Sequence, residues 1–310
     1  MIRTLPRGTP PGRFLERGEN IKRKILTICT AAVTFLLALG IMLYPLISTA
    51  YNEKHQSKIH TQYQQAVEQA DDTEKQQARE RAIDYNQSIQ PGTQLVDAFS
   101  NEALIGASEE YGDLLNLAGD GIMGYVNIPA IAVHLPIYHG TEDTTLEIGI
   151  GHLLGSSLPV GGESTHTILT AHSGMASSKM FTDLPQLQIG DVFYLEVLGE
   201  TLVYQVDQIK TVLPCDTTYL GIEPGADYCT LVTCTPYAVN THRLLVRGSR
   251  IPYEEAEEIV EETTPIIQPV VSTWEQEYYK GILVGLGVVA AMGLVLLAVW
   301  LYRRCRHKSR

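Results

Sequence analysis

Two unbroken apolar runs, about 25–47 and 281–302, bracket the chain, and between them the pattern of apolar and polar positions changes twice. Each run is long enough to cross a ~30 Å hydrocarbon core as a helix. From Tyr51 to Ile89 the chain is rich in Gln, Glu, Ala and Lys, with Ile59, Tyr63, Ala66 and Ala70 at helical spacing. This predicts two helices with a break near Asp71-Asp72, the second opened by a capping box of Thr73 and Gln76. The plain reading of 48–90 is a helical stalk or packing helix pair; a partner-binding coiled coil is the alternative. Pro91-Gly92 ends the region, and a connector follows over 91–123.

From Gly124 to Tyr253 the apolar runs become short and β-branched, separated by Gly, Pro and Asp. They cover Ala130 to Tyr138, Thr165 to Ala171, Asp191 to Val197, Thr201 to Val212, Tyr228 to Thr233 and His242 to Ile251. Many short strands at this spacing predict a mainly β fold, a closed or nearly closed barrel over 124–253. An acidic, Pro-containing linker over 254–280 then leads to the second apolar run.

Charge orients this arrangement. The tails 1–24 and 303–310 hold 12 of the 23 Lys and Arg and 2 of the 35 Asp and Glu, leaving 11 basic against 33 acidic residues between them. Positive charge marks the cytoplasmic flank, so both runs are expected to span a membrane, with both basic tails inside and everything between outside. A cleaved signal peptide is the alternative for the first run, but its apolar stretch exceeds the usual 7–15 residues and Ser48-Thr49-Ala50 is a weak cleavage site. The acidic middle argues against nucleic acid as a partner, since that binding needs a basic footprint.

Candidate chemistry is concentrated near the end of the barrel region. Thr230-Leu231-Val232-Thr233-Cys234 is an apolar run ending on a thiol; a turn with Pro236 and Asn240 follows, and the next apolar run opens on Arg243. The pattern places a thiol and a permanent cation at neighbouring ends of two adjacent strands. A nearby cation favours the thiolate, which is the nucleophile, and can stabilise negative charge on an attacked carbonyl. A histidine is the remaining need. His172 ends an apolar run at a Ser-Gly turn, and its rivals are His134, His139, His152, His166 and His242. Of the five cysteines, Cys215, Cys229 and Cys234 fall in the middle region, where a Cys215–Cys229 disulfide is one option; the spacing carries no zinc signature. Asp71-Asp72 and the Glu254 to Glu262 cluster lack an EF-hand pattern and read as solvated charge.

These residues resemble the sortases, the Gram-positive cysteine transpeptidases, over roughly Asp97 to Tyr253. Thr230 to Cys234 matches their Thr-Leu-x-Thr-Cys signature, with Arg243 downstream and His172 in a Thr-x-His-x-Gly-like segment. Gly124 to Pro129, Ser157 to Gly162, Lys179 to Leu184 and Thr233 to Gly248 are similar to the pilin-polymerising class C branch. The resemblance implies an eight-stranded sortase barrel with N-terminal helices, in the cell membrane of a Gram-positive bacterium, with Cys234, His172 and Arg243 catalytic. It implies cleavage of a Leu-Pro-x-Thr-Gly-like sorting signal between Thr and Gly and transfer to a pilin lysine, with no cofactor or metal. Its partners would be pilin subunits or surface proteins bearing that signal. Class C enzymes often carry an Asp-Pro-aromatic lid. Val96-Asp97-Ala98-Phe99-Ser100 stands in the corresponding place, with Asp97 to pair Arg243 and Phe99 to cover the thiol. Ala98 replaces the proline, so the segment is less pre-rigidified; an ordinary loop with one buried Phe is the alternative. Two other functions stay open: a housekeeping sortase that anchors surface proteins to peptidoglycan, and a non-catalytic, membrane-tethered binding module.

Overall fold

The computed structural model describes residues 12–90, 92–93, 95–100, 108–173, 179–256, 280–285, 287, 289 and 293. The first eleven residues, the linker beyond Ala256 up to 279, most of the second apolar run 281–302 and the basic tail 303–310 lie outside the described residues. Two compact units are distinguished, one up to Ser48 and one from Thr49 onward. Helix α1 (Gly12–Gln69) carries the apolar segment Ile25–Tyr44, long and apolar enough to cross a membrane and with none of its length buried in protein.

The expected break between the helices falls at Ala70-Asp71, and α2 runs over Asp72–Ser88. The cap differs from the expected Thr73 box: Asp71 is the N-cap, and its carboxylate accepts from the Glu74 N–H at 2.7 Å. Thr73 instead lies within the first turn, because a carboxylate at the start of a helix meets both the free N–H groups and the positive dipole end. Both helices pack on the barrel. Tyr63 and Val67 of α1 are buried with Ile122 and Tyr125. Ala78 and Ala82 of α2 join the main core, and the Asn86 amide makes two hydrogen bonds to the Leu158 backbone, at 2.6 and 3.2 Å.

Eight strands close the barrel: β1 (Ile122–Ile128), β2 (Val133–His139), β3 (Ile150–His152), β4 (Thr165–Thr170), β5 (Val192–Val197), β6 (Glu200–Val212), β7 (Asp227–Thr235) and β8 (His242–Ile251). Their order around the wall is β1-β2-β3-β4-β7-β8-β6-β5. The apolar run from Ala130 to Tyr138 is not one strand. Pro129–Ile131 forms a 3-10 turn, and Ala132 adopts a left-handed conformation (φ 49°) before β2 begins; Pro129 has no N–H to offer a ladder. Short helices α3 (Glu109–Gly112) and α4 (Asp143–Leu146) precede β1 and β3.

Successive strand residues face opposite sides, and here both sides are covered in part. Leu169, Cys229, Leu231, Leu244 and Val246 point into the main core. Ile168, Val232 and Leu245, of the opposite parity, form a second buried cluster with Val212, Leu220 and Ala98. The segment 95–99 therefore lies on the outer face of β4, β7 and β8, which explains why β7 reads as a nearly continuous apolar run.

Candidate active site

Pairing brings the three chemical candidates together. β4 and β7 are parallel, with Thr170 opposite Val232, so their C-terminal ends share one rim of the barrel. β8 runs antiparallel to β7 and starts at that rim, with Arg243 opposite Cys234. His172 lies just beyond β4, level with Cys234 in the same register. Two side-chain pins hold this junction. Thr233 Oγ1 donates to the Ala171 carbonyl at 2.8 Å, and Ser173 Oγ donates to the Cys234 carbonyl at 3.1 Å. The pins flank His172 on both sides, and the Phe181 N–H donates to the His172 carbonyl at 3.0 Å. Thr233 lies in the Thr-Leu-x-Thr-Cys signature and Ser173 in the turn after His172, but neither was given a role from the sequence; their adjacency to Cys234 and His172 was the available signal.

Parity explains why the side chains converge. Cys234 shares the outer face with Val232, Arg243 with Leu245, and His172 with Ile168, so all three meet where 95–99 docks. Asp97 grips Arg243 with both carboxylate oxygens: Nε donates to Oδ1 at 2.8 Å and an NH2 nitrogen to Oδ2 at 2.6 Å. The Arg243 guanidinium lies 4.9 Å from the Phe99 ring centroid, and that ring is 5.7 Å from the His172 ring. Ala98 is buried among the outer-face apolar residues. Without a proline, the segment is still seated by an apolar contact, a bidentate ion pair and an aromatic ring over the cation.

The rival histidines have other partners. His139 bonds the Leu114 and Gly121 carbonyls, and His152 the Tyr111 hydroxyl and the Ser157 carbonyl. His166 bonds the Gly221 carbonyl and Thr230 Oγ1, and His242 sits against Thr241 Oγ1. His134 faces Glu196 across the barrel from β7. Cys215 is exposed, Cys229 is buried and both are free thiols, so they do not pair.

Electrostatics set the resting state of the thiol and imidazole. Burial pushes the Cys234 thiol up, Arg243 opposes this, and the Asp97 carboxylate adds to it. Burial pulls the His172 imidazole down, against the acidic Asp143 and Glu147. With these opposite shifts the neutral thiol and neutral imidazole dominate near neutral pH, and the thiolate is a minor species. Desolvation holds the thiol of Cys229 much higher, and among the described residues it has no route to reactivity from within the core.

A cysteine, a histidine and an arginine on one barrel rim suit acyl transfer through a thioester, and known proteins share the surrounding fold. The Sortase domain family matches residues 126–251. Sortase C-1 from Actinomyces oris is 44% identical, with a TM-score of 0.53 over 57% of this chain and 99% of that one. Sortase C1 of Streptococcus agalactiae is 44% identical, with a TM-score of 0.58 over 64% of this chain and 99% of that one. Among curated proteins, Sortase A of Streptococcus agalactiae serotype III is 29% identical over 157 residues, 49% of this chain. The chain spans 60% of the length of that relative. Near-complete coverage of the solved sortase C chains at this identity, on the same closed barrel, makes the chain a member of the sortase family, in its class C branch.

Proposed function

We propose that the chain is a membrane-anchored cysteine transpeptidase that polymerises pilin subunits. The observation that carries this reading is the register of Cys234 opposite Arg243 with His172 level beside them. His172 first takes the Cys234 thiol proton, and the Cys234 thiolate then attacks the Thr carbonyl carbon of the Thr–Gly bond in a Leu-Pro-x-Thr-Gly-like signal. Arg243 N–H groups donate to the developing oxyanion, and His172 gives its proton to the departing amine as the C–N bond breaks. A thioester on Cys234 remains. A pilin lysine amine then attacks it, His172 takes the amine's proton, and the thiolate leaves as the isopeptide bond forms. The Streptococcus pneumoniae sortase C, 42% identical, has been described for its pilin substrate specificity, which favours pilins as substrates here. The basic tails and the two apolar runs support an outward-facing catalytic unit with both termini cytoplasmic.

The test offers the full chain a sorting-signal peptide with two acceptors, a pilin-type lysine peptide and a peptidoglycan cross-bridge amine, and reads products by mass. Cleavage between Thr and Gly with an isopeptide to lysine is expected. Transfer to the cross-bridge amine alone would make the protein an anchoring enzyme, and no cleavage of any signal peptide would make it a binding module.

In the same reading, segment 95–99 is a lid that occupies the substrate's place, with Asp97 holding the guanidinium that the reaction needs. A charge-assisted pair contributes about 1.5 kcal/mol, or ~10-fold in the ratio of closed to open molecules, and apparent substrate affinity falls by the open fraction. Replacing Asp97 and Phe99 together by alanine is expected to speed alkylation of Cys234 by a small thiol reagent about 10-fold. It should also move the pH profile of that reaction to lower pH, because the carboxylate that raises the thiol's pKa is gone while Arg243 stays. A rate and profile equal to the wild type's would make the segment an ordinary loop and leave access to the turn between Thr235 and Thr241.

A further inference from the structure

On the barrel wall opposite β7, three side chains from three elements meet: His60 from α1, His134 from β2 and Glu196 from β5. β1 lies between β2 and β5. Asn127 is opposite His134 and Tyr125 opposite Glu196 in its ladders. The Tyr125 ring stacks on His134 at 5.2 Å and meets His60 edge-on at 4.6 Å, while the two imidazoles stand edge to face at 4.4 Å. This aromatic packing fixes both rings in direction. His60 Nε2 points at one Glu196 carboxylate oxygen from 3.7 Å, and His134 Nε2 at the other from 3.9 Å.

Those distances are too long for hydrogen bonds. His60 Nε2 is closed off from solvent and has no hydrogen-bond partner. A buried ring nitrogen without a partner is a rare and costly feature, yet this one is aimed, with a second imidazole, at a shared carboxylate. All three donor atoms lie within 4.8 Å of one another. In a tetrahedral site with bonds of about 2.1 Å, donor atoms stand about 3.4 Å apart. The cluster is thus slightly wider than a bound site and closes by small side-chain rotations.

We propose that His60, His134 and Glu196 form a metal site for zinc or a similar borderline divalent ion, fastening α1 to the barrel through β2 and β5. Two imidazoles and one carboxylate suit Zn²⁺, whereas Ca²⁺ and Mg²⁺ take oxygen ligands. His134 and Glu196 remain partly exposed, with side-chain accessibilities of 38% and 32%, so the fourth position opens to water. The site is remote from Cys234 in the strand order and owes nothing to the proposed transfer chemistry.

The full chain in detergent, stripped with a chelator, should be titrated with Zn²⁺ by calorimetry and with Co²⁺ by visible absorption. One ion per chain is expected, with a four-coordinate Co²⁺ spectrum that lacks thiolate charge transfer, which excludes Cys29, Cys215 and Cys234 as ligands. Loss of a group that merely supports a ligand usually weakens binding about 10–100-fold. Glu196→Gln and His134→Gln should therefore each weaken it by at least that much, and Zn²⁺ should raise the melting temperature of the wild type but of neither variant. The proposal is overturned if the wild type takes up no ion at micromolar free zinc, if the Co²⁺ spectrum shows sulfur ligation, or if both variants bind as tightly as the wild type. The wild-type stoichiometry and spectrum decide the matter even if a variant fails to fold.

Discussion

Cys234→Ala is expected to eliminate signal-peptide cleavage and lysine transfer while leaving the barrel folded. In a serine protease, loss of the nucleophile costs about 10⁶-fold in kcat, and among the described residues no other cysteine stands opposite Arg243 in the β7–β8 ladder. Cys229 is buried in the core, and Cys215 is exposed three residues beyond Val212, the β6 partner of Arg243. Stability should change by less than about 1 kcal/mol, because the half-buried Cys234 side chain sits at a strand end outside the core clusters and only its sulfur is lost. The melting curve should overlay that of the wild type, and mass spectrometry of a reaction quenched with excess signal peptide should show a thioester adduct on the wild type and none on the variant. Residual cleavage within ~10-fold of the wild type would remove Cys234 from the mechanism and direct attention to Cys215.

The second large effect is expected at Arg243. Its guanidinium pulls the Cys234 thiol down, against burial and Asp97. Arg243→Gln removes that cation, so the thiol should titrate at still higher pH and alkylation at neutral pH should slow. Transfer should fall further, by ~10²–10³, because an oxyanion donor is lost as well. Arg243→Lys separates the two contributions. It keeps the charge but not the planar fork of donors, so alkylation should stay near the wild-type rate while transfer still drops. Equal losses in both reactions for the lysine variant would reduce Arg243 to a charge effect, and single-turnover acylation by Arg243→Gln at the wild-type rate would exclude it from the chemistry.

Much of the barrel was legible before the structure. Short β-branched runs separated by Gly, Pro and Asp gave most strands to within a few residues, because periodicity and turn residues are local properties. The errors were local as well. The run from Ala130 to Tyr138 looks like one strand but opens on a 3-10 turn and a left-handed Ala132, and the first turn of α2 is capped by Asp71 rather than Thr73. Both depend on which backbone N–H groups find partners, which apolar patterning does not record.

The thiol, the cation and the turn between them belong to one hairpin of sequence neighbours, so the chain by itself determined that Cys234 and Arg243 would meet. It also determined the two apolar runs, the basic tails and the acidic middle. Residue type alone left His172 as one of several histidines and the resemblance to the sortases singled it out; the parallel pairing of β4 with β7 then sets its level beside Cys234, and its rivals have other partners. The pairing of Asp97 with Arg243 was implied by the resemblance alone, its bidentate form came from the tertiary structure, and the convergence of His60, His134 and Glu196 was decided only there. Such contacts join residues far apart in the chain, and their distances follow from barrel closure and from helices packing on its wall. No spacing within the sequence carries that information.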